Sequence, residues 1–322
     1  MFTKTELEEA TAFVHRSMPP TPQYAWPTLC QRIGAEVWVK HENHTCTGAF
    51  KVRGALTFMD WLVRTQPDVP GIITATRGNH GQGQAMAATA RGLRAVVYVP
   101  RGNSVEKNAA MRAFGAELVE FGDDFDIARV EAFRVGAEEG LAPVPPFHPE
   151  LVRGVASYGY ELMTTVPDLD TIYVPIGCGS GICSLISVRD ALNLKTKIVG
   201  VVSDGAPAVK LTFEAGRMIE TDQAKTFADG VATRVPMADA FAIYGPGAER
   251  IVSVSDDAIA EAIRVLYADT HNLSEGAGAA PLAALMQEKE QMAGRKVAVI
   301  LCGGNIDRDW FHTILGGQTP QV

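Results

Sequence analysis

The sequence predicts an α/β fold with largely parallel sheets, and three observations support this prediction. Short runs rich in Val and Ile alternate along the chain with stretches of helical pattern. Such runs are typical of strands that are buried on both faces, as in parallel sheets. Several of the runs end in glycine-rich turns that lead into a predicted helix. A length of 322 residues favours two domains or one large α/β domain.

Predicted strands and helices follow one another from residue 36 to residue 304. The strands are EVWVK (36–40), GIITAT (71–76), RAVVYVP (94–100), AELVEFG (116–122), TIYVPIG (171–177), KIVGVVS (197–203) and KVAVILCGG (296–304). The helices are predicted at 51–65, 80–91, 104–114, 124–140, 151–166, 180–193, 256–271 and 277–290. The proline-rich segment 142–150 is a candidate crossover between domains.

Composition and charge exclude several classes of protein. A net charge of −8 argues against a nucleic-acid surface, because phosphate binding needs clustered Lys and Arg. The first residues include acidic side chains where a signal peptide would be apolar, and no apolar run is long enough for a membrane span. The five cysteines are odd in number and form no CxxC pair. We therefore expect a cytoplasmic protein without a disulfide scaffold or a structural zinc site.

Three glycine-rich turns are candidates for ligand binding. GCGSG (177–181) follows a strand and begins a helix, where unpaired N–H groups suit a phosphate, although a plain βα turn explains it equally well. The turn lacks the Walker A and GxGxxG patterns, so a dinucleotide site is disfavoured. RGNHGQG (77–83) and CGGNID (302–307) are the other two turns. Asn79 has the alternative of a helix cap, and Cys302 that of a small buried residue.

Lys51 ends the segment TCTGAFK (45–51), after small and polar residues and one aromatic. Most lysines are solvated surface charges, but this one occurs in a chain that also offers a phosphate cradle. A lysine needs a lowered pKa to act as a nucleophile or base, and burial beside a cofactor can provide it. The combination suits a phosphorylated cofactor held by a lysine Schiff base.

Five segments resemble, in order, the motifs of the fold type II pyridoxal 5′-phosphate (PLP) enzymes. They are KHENHTCTGAFKVRGA (40–55), RGNHGQG, GCGSG, FADGVA (227–232) and CGGNID. The resemblance is greatest to the serine/threonine dehydratase and serine racemase branch. It implies a two-domain fold like that of tryptophan synthase β, with parallel sheets flanked by helices. We expect a large PLP-binding domain of residues 1–70 and 149–322, a small domain of residues 71–148, an amino acid substrate, and a homodimer or homotetramer.

The resemblance also assigns roles by position. Lys51 is expected to hold PLP as a Schiff base and to move the Cα proton. The residues expected to contact the cofactor are Phe50, Lys51, Asn79, Gly177, Cys178, Gly179, Ser180, Gly181, Gly230, Glu275 and Cys302. Those expected around the substrate are Thr47, Thr76, Arg77, Gly78, Asn79 and His80.

Three departures from the family pattern refine the expected reaction. Arg77 stands where racemases of this branch carry a serine that moves a proton, and an arginine is a poor proton shuttle. Arg77 is also a candidate for contacting a second carboxylate or an aromatic ring of the substrate, or it points to solvent. Cys302 stands where most members have a serine and is expected to face the pyridine nitrogen. A thiol, like a hydroxyl, is neutral and cannot keep that nitrogen protonated, so the ring would be a weaker electron sink, which suits β-elimination. Ser203 and Val209 stand where the branch has metal-binding acids, so no metal site is expected.

The expected function is α,β-elimination of water from a 3-hydroxy amino acid, giving a 2-oxo acid and ammonia. Serine and threonine are the generic substrates, and 3-phenylserine and 3-hydroxyaspartate remain open because of Arg77. The alternatives are a β-replacement enzyme like the cysteine synthases, a PLP-binding module without activity, and, less favoured, a nicotinamide dehydrogenase. The resemblance further implies no C-terminal regulatory domain, because the chain ends at GGQTPQV.

Overall fold

The computed structural model describes all 322 residues, which form fourteen α-helices and ten strands. The strands are β1 (Gln23–Ala25), β2 (Glu36–His41), β3 (Gly71–Ala75), β4 (Arg94–Val99), β5 (Glu117–Glu120), β6 (Ala142–Pro143), β7 (Thr171–Pro175), β8 (Lys197–Ser203), β9 (Arg250–Val254) and β10 (Lys296–Leu301). The first seven helices are α1 (Lys4–His15), α2 (Pro27–Ile33), α3 (Lys51–Thr65), α4 (Asn79–Thr89), α5 (Val105–Ala113), α6 (Phe125–Glu139) and α7 (Pro149–Thr165). The others are α8 (Ser180–Ala191), α9 (Ala208–Ala215), α10 (Ala238–Gly247), α11 (Asp256–Thr270), α12 (Gly276–Gln287), α13 (Lys289–Met292) and α14 (Arg308–Leu315).

The strands form two separate sheets. The larger sheet has the order β1-β2-β10-β7-β8-β9, in which only β1 runs antiparallel to its neighbour. The smaller sheet has the order β5-β4-β3-β6 and is entirely parallel. The prediction of an α/β fold with largely parallel sheets is confirmed. The helices connect successive parallel strands, and no helix is both long and apolar enough to cross a membrane.

Several predicted elements occur in the structure, but their boundaries differ from the predicted ones. The predicted strands 116–122, 171–177 and 296–304 are too long, because the structure ends them at residues 120, 175 and 301. In the last two, the excess residues belong to the glycine turns instead. The predicted helix 277–290 is divided into α12 and α13. Three strands (β1, β6 and β9) and five helices (α1, α2, α9, α10 and α14) were not predicted.

Helix α3 carries Lys51 at its first position and packs tightly against α7. A Cβ atom on Gly154 of α7 would overlap the backbone carbonyl of Arg53, so only glycine allows this approach. Apolar residues of α3 such as Val52 and Leu56 are buried with residues of α4 and β3 in a core of their own. This packing fixes the start of α3 against α4 and α7.

Four buried charges lie beside the start of α3. Arg53 donates to Glu42 (Nε to Oε2, 2.7 Å) and to Glu161 (Nη1 to Oε1, 2.6 Å), and Lys40 donates to Glu161 (Nζ to Oε2, 2.5 Å). Burial alone would raise the pKa of Glu161, but Arg53 and Lys40 lower it to about 2. The two cations and two carboxylates together carry no net charge. Their contacts join β2, α3 and α7 close to Lys51, which precedes Arg53 by two residues.

Candidate active site

A cavity of about 150 Å³ is lined by residues that follow β3, β7 and β10 and by the start of α3. These residues follow the carboxyl ends of parallel strands, where ligands bind in open α/β sheets. Every predicted site residue lines the cavity except Thr47. The Thr47 hydroxyl instead donates to the carbonyl of Ala49 (3.2 Å), and the Thr47 carbonyl accepts from Asn305 (2.8 Å).

The Lys51 amine points into this cavity without a carboxylate partner. Its Nζ donates to Ser180 Oγ at 3.2 Å and lies 4.8 Å from the centroid of the Phe50 ring. Burial lowers the pKa of Lys51, and the more distant Cys178, Cys302 and Glu275 oppose that shift only in part. The lowered pKa increases the fraction of the neutral amine, which is the form that acts as a nucleophile or base.

The turn at 177–181 is a cradle that excludes side chains. Gly179 has a φ of +98°, and a Cβ there would lie 2.6 Å from Cβ of Ala240. A Cβ on Gly177 would overlap the carbonyl oxygen of Gly230. Helix α8 begins at Ser180 with no side-chain cap, so its first N–H groups are free to bind an anion. The cradle and the unpaired lysine beside it fit the phosphate and the aldehyde of PLP.

Asn79 belongs to a hydrogen-bond network that continues to Lys107. Its Nδ2 donates to Glu275 Oε1 (2.7 Å), and its Oδ1 accepts from Asn305 (2.8 Å). Lys107 Nζ donates to Asp229 Oδ2 (2.6 Å) and lies 3.5 Å from Glu275 Oε2, too long for a good hydrogen bond. The alternative of a helix cap is wrong, because no side chain caps α4 and Asn79 reaches Glu275 instead.

The pKa of Glu275 is set by opposing effects. Burial raises the pKa of this carboxyl, the positive charge of Lys107 lowers it, and the negative charge of Asp229 raises it further. The net direction is upward. Burial opposes the charge of Lys107 as well, but Asp229 and Glu275 together raise the pKa of Lys107 above its ordinary value. Lys107 therefore stays protonated, while the pKa of the Glu275 carboxyl lies above its ordinary value.

The turn after β3 brings further polar groups to the cavity. The Thr76 hydroxyl accepts from the N–H of Gly78 (2.9 Å). Burial and the charge of Lys51 lower the pKa of His80 to about 3, and its Nε2 is buried without a hydrogen-bond partner. His80 is therefore a neutral imidazole with a free nitrogen facing buried space. Arg77 is exposed, and its guanidinium has no hydrogen-bond or ion-pair partner.

Cys302 follows β10 at the bottom of the cavity. Its carbonyl accepts from the N–H of Phe50 (3.0 Å), which links the end of β10 to the start of α3. Burial raises the pKa of the Cys302 thiol well above its ordinary value, and the nearby Glu275 raises it further. The thiol therefore remains protonated and uncharged at neutral pH.

Lys107 and Asp229 were not predicted as site residues, although Asp229 belongs to FADGVA. The two residues lie 122 positions apart in the sequence, and nothing local to Lys107 distinguishes it from a surface lysine. Asn305, within CGGNID, was also overlooked.

Ser203 donates to Asp256 Oδ1 at 3.1 Å, and no group of three or more His, Cys, Asp or Glu side chains is placed to hold a metal ion.

Comparison with known proteins agrees with the fold and the cradle. Residues 14–303 match the family model described as pyridoxal-phosphate dependent enzyme. The chain is 34% identical over 308 residues to L-threonine ammonia-lyase of Geobacter sulfurreducens, covering 95% of this chain and 76% of that protein. Among solved structures, threonine deaminase isoform 2 of Solanum lycopersicum has a TM-score of 0.88 and 28% identity, covering 98% of this chain and 94% of that chain. Maize serine racemase has a TM-score of 0.90 and 26% identity, covering 98% and 97%.

The two sheets, the glycine cradle and the buried lysine define a fold type II PLP enzyme. The chain belongs to the pyridoxal-phosphate dependent enzyme family, and PLP is its cofactor.

Proposed function

We propose that the protein is an ammonia-lyase that removes water from a 3-hydroxy amino acid of the serine or threonine type and releases a 2-oxo acid and ammonia. The observation that carries the proposal is the Lys51 amine, buried beside the cradle without a carboxylate partner. The relative named L-threonine ammonia-lyase supports this reaction.

The residues around the cavity divide the binding of PLP among them. We assign the phosphate to the turn from Gly177 to Gly181 and to the free N–H groups at the start of α8. Phe50, which packs edge-on against Tyr158 (centroids 6.0 Å apart), and Gly230 both line the cavity and would enclose the cofactor ring. Asn79, held by Glu275 and Asn305, is assigned to the ring hydroxyl. When bound, PLP supplies an electron sink conjugated to the amino nitrogen of the substrate.

Lys51 is assigned the proton transfer at Cα. Its amine, in the neutral form, would accept this proton, a step for which general base catalysis contributes about 10²–10⁴-fold. Cys302 has no negative charge with which to keep a pyridine nitrogen protonated. This arrangement favours a reaction in which the hydroxyl leaves quickly over one that needs a long-lived negative charge at Cα.

The start of α4 is assigned to the substrate carboxylate. Helix α4 has Gly78 as its N-cap and no side-chain cap, so its first N–H groups remain free. Thr76, Gly78 and His80 line the same part of the cavity. Free N–H groups at a helix N-terminus bind carboxylates through hydrogen bonds and the helix dipole.

The proposal is tested with Lys51→Ala. The purified wild-type protein should show the visible absorption of lysine-bound PLP and release 2-oxo acid from L-serine or L-threonine, and the variant should lose both. Lys210→Ala, a change at a partly exposed lysine that pairs with Glu214, is the control and should keep both. Normal turnover by Lys51→Ala would contradict the proposal, and so would full cofactor occupancy without turnover. Cysteine formation from O-acetylserine and sulfide without 2-oxo acid would instead identify a β-replacement enzyme.

A further inference from the structure

A second cavity of about 340 Å³ adjoins the one that contains Lys51. The two share the side chains of Arg77, Lys107, Asp229 and Glu275 on their walls. The rest of the second wall comes from the segment 100–105, from residues near 305–310, and from Asp123, Phe227 and Gly276. We call this space the outer chamber. A side chain as small as that of serine or threonine does not fill a space of this size.

Arg77 is the one cation on the chamber wall that lacks an anionic partner. Lys107 donates to Asp229 at 2.6 Å, and Arg101 donates to Asp123 at 2.9 Å. The guanidinium of Arg77 has no carboxylate within 4.0 Å, although it lines both cavities. Arg77 therefore lies at the boundary between the lysine cavity and the outer chamber.

The carboxylates of the chamber each have at least one hydrogen-bond partner, and that of Glu275 accepts from Asn79 through Oε1 only. Asp307 Oδ1 accepts from the Ser104 hydroxyl at 2.5 Å, and the carboxylate of Asp123 is held by Arg101. The two large aromatic residues of the wall, Phe227 and Trp310, pack edge-on against each other with centroids 6.2 Å apart. Most of the remaining wall is polar or glycine. Arg77 is therefore the group of this wall that is free to bind an anion. Its five N–H groups form a fork that matches a carboxylate.

We propose that the outer chamber is the subsite for the substituent on Cβ of the substrate, and that Arg77 binds a carboxylate there. The preferred substrate is then a 3-hydroxy amino acid with an acidic side chain. The reaction named in this inference rests on the proposed elimination, but the binding of an acidic side chain by Arg77 does not. Arg77 is a specificity residue, because its guanidinium contacts the substituent and not the reacting Cα.

The first test measures binding without turnover. The PLP-loaded protein is titrated with L-aspartate and with L-asparagine, which differ in side-chain charge and have nearly the same shape, and Kd is taken from the change in cofactor absorbance. The wild type should prefer aspartate by about 10-fold to 100-fold, the range expected for a charge-assisted bidentate contact. Arg77→Ala should bring this ratio close to one, and Arg77→Lys should restore part of it. Arg112→Ala, which removes an exposed, paired arginine that lies outside both cavities, should leave the ratio as in the wild type.

The second test compares kcat/KM for 3-hydroxyaspartate and its neutral amide, 3-hydroxyasparagine, in the same variants. The preference for the acid should be lost in Arg77→Ala and kept in Arg112→Ala. Equal binding of aspartate and asparagine by the wild type, or no binding of either, overturns the inference. A loss in Arg77→Ala confined to 3-phenylserine also overturns it, because Arg77 would then stack on an aromatic ring. If no hydroxy amino acid is turned over, the elimination proposal fails, and the aspartate titration still decides the role of Arg77.

Discussion

Replacing Glu161 with Gln should destabilise the protein strongly, because Glu161 balances two buried cations. Its side chain is only 6% exposed and accepts hydrogen bonds from Arg53 (2.6 Å) and Lys40 (2.5 Å). Lowering the pKa of Glu161 from 4.5 to about 2 corresponds to about 3 kcal/mol, at 1.36 kcal/mol per pH unit. Removing one partner of a buried ion pair typically costs about 3–5 kcal/mol. We therefore expect the free energy of unfolding to fall by about 3 kcal/mol.

The measurement is urea unfolding of the wild type, Glu161→Gln and Glu150→Gln. Glu150 is the matched control, since it lies on the same helix α7 but forms a partly exposed pair with Arg153. Such a pair contributes about 0–1 kcal/mol. Adding Lys40→Met to Glu161→Gln should cost less than the two single changes together, because each alone leaves an unbalanced charge. A loss no larger than that of Glu150→Gln would refute the reasoning.

The same variant has a distinct dependence on pH. The pKa of Glu161 in the folded state lies below its ordinary value of 4.5, so its stabilisation is complete above about pH 4.5 and is lost as the pH falls towards 2. The difference in stability between the wild type and Glu161→Gln should therefore shrink as the pH is lowered through this window. A difference that stays constant from pH 7 to pH 3 would show that the loss comes from packing instead.

Two further predictions concern the cofactor site. Gly179→Ala should lose PLP on dialysis, because its Cβ would meet Ala240 and its positive φ would be strained. The control Gly216→Ala, at φ +66° with no atom near its Cβ, should show only the backbone strain and should retain PLP. Retention of PLP by both variants would argue against the tight cradle. Lys107→Met should raise the pKa of Glu275, since it removes a positive charge that lowers it, and should move the acidic limb of the kcat/KM profile to higher pH. Lys107→Arg keeps the positive charge and should leave the acidic limb near its wild-type position. An acidic limb that does not move in Lys107→Met would show that this limb does not report the ionisation of Glu275.

Elements with a strong local pattern were predicted well from the sequence. The bounds of α3 were correct at both ends, because an amphipathic run begins at Lys51 and ends just before Gln66-Pro67. Strand β9 was missed because Arg250 and Ser253 interrupt a five-residue run that lies at the edge of the large sheet. The two-residue strand β6 has no periodicity from which it could be found.

The same distinction holds for the site. Features formed by residues close in the sequence could be predicted, and contacts between distant residues could not. The glycine turn could be picked out because its three glycines lie within five residues, and Gly179 has a positive φ, which glycine adopts readily. The partners of Lys107 follow only from tertiary packing, since Asp229 and Glu275 come from other parts of the chain. The direction of a side chain was equally inaccessible: Thr47 lies in a matching motif, yet its hydroxyl turns to Ala49.

The position of Lys51 as the first residue of α3 places its chemistry at the positive end of a helix macrodipole. The N-terminal turn of a helix carries a partial positive charge that disfavours a nearby cation. Neither Phe50 at the N-cap nor any acidic residue in the first turn of α3 offsets this effect. The backbone of α3 therefore acts in the same direction as burial and favours the uncharged amine. A lysine at the first position of a helix weakens the start of that helix. In α3 this loss of helix stability accompanies a lysine amine that is more reactive.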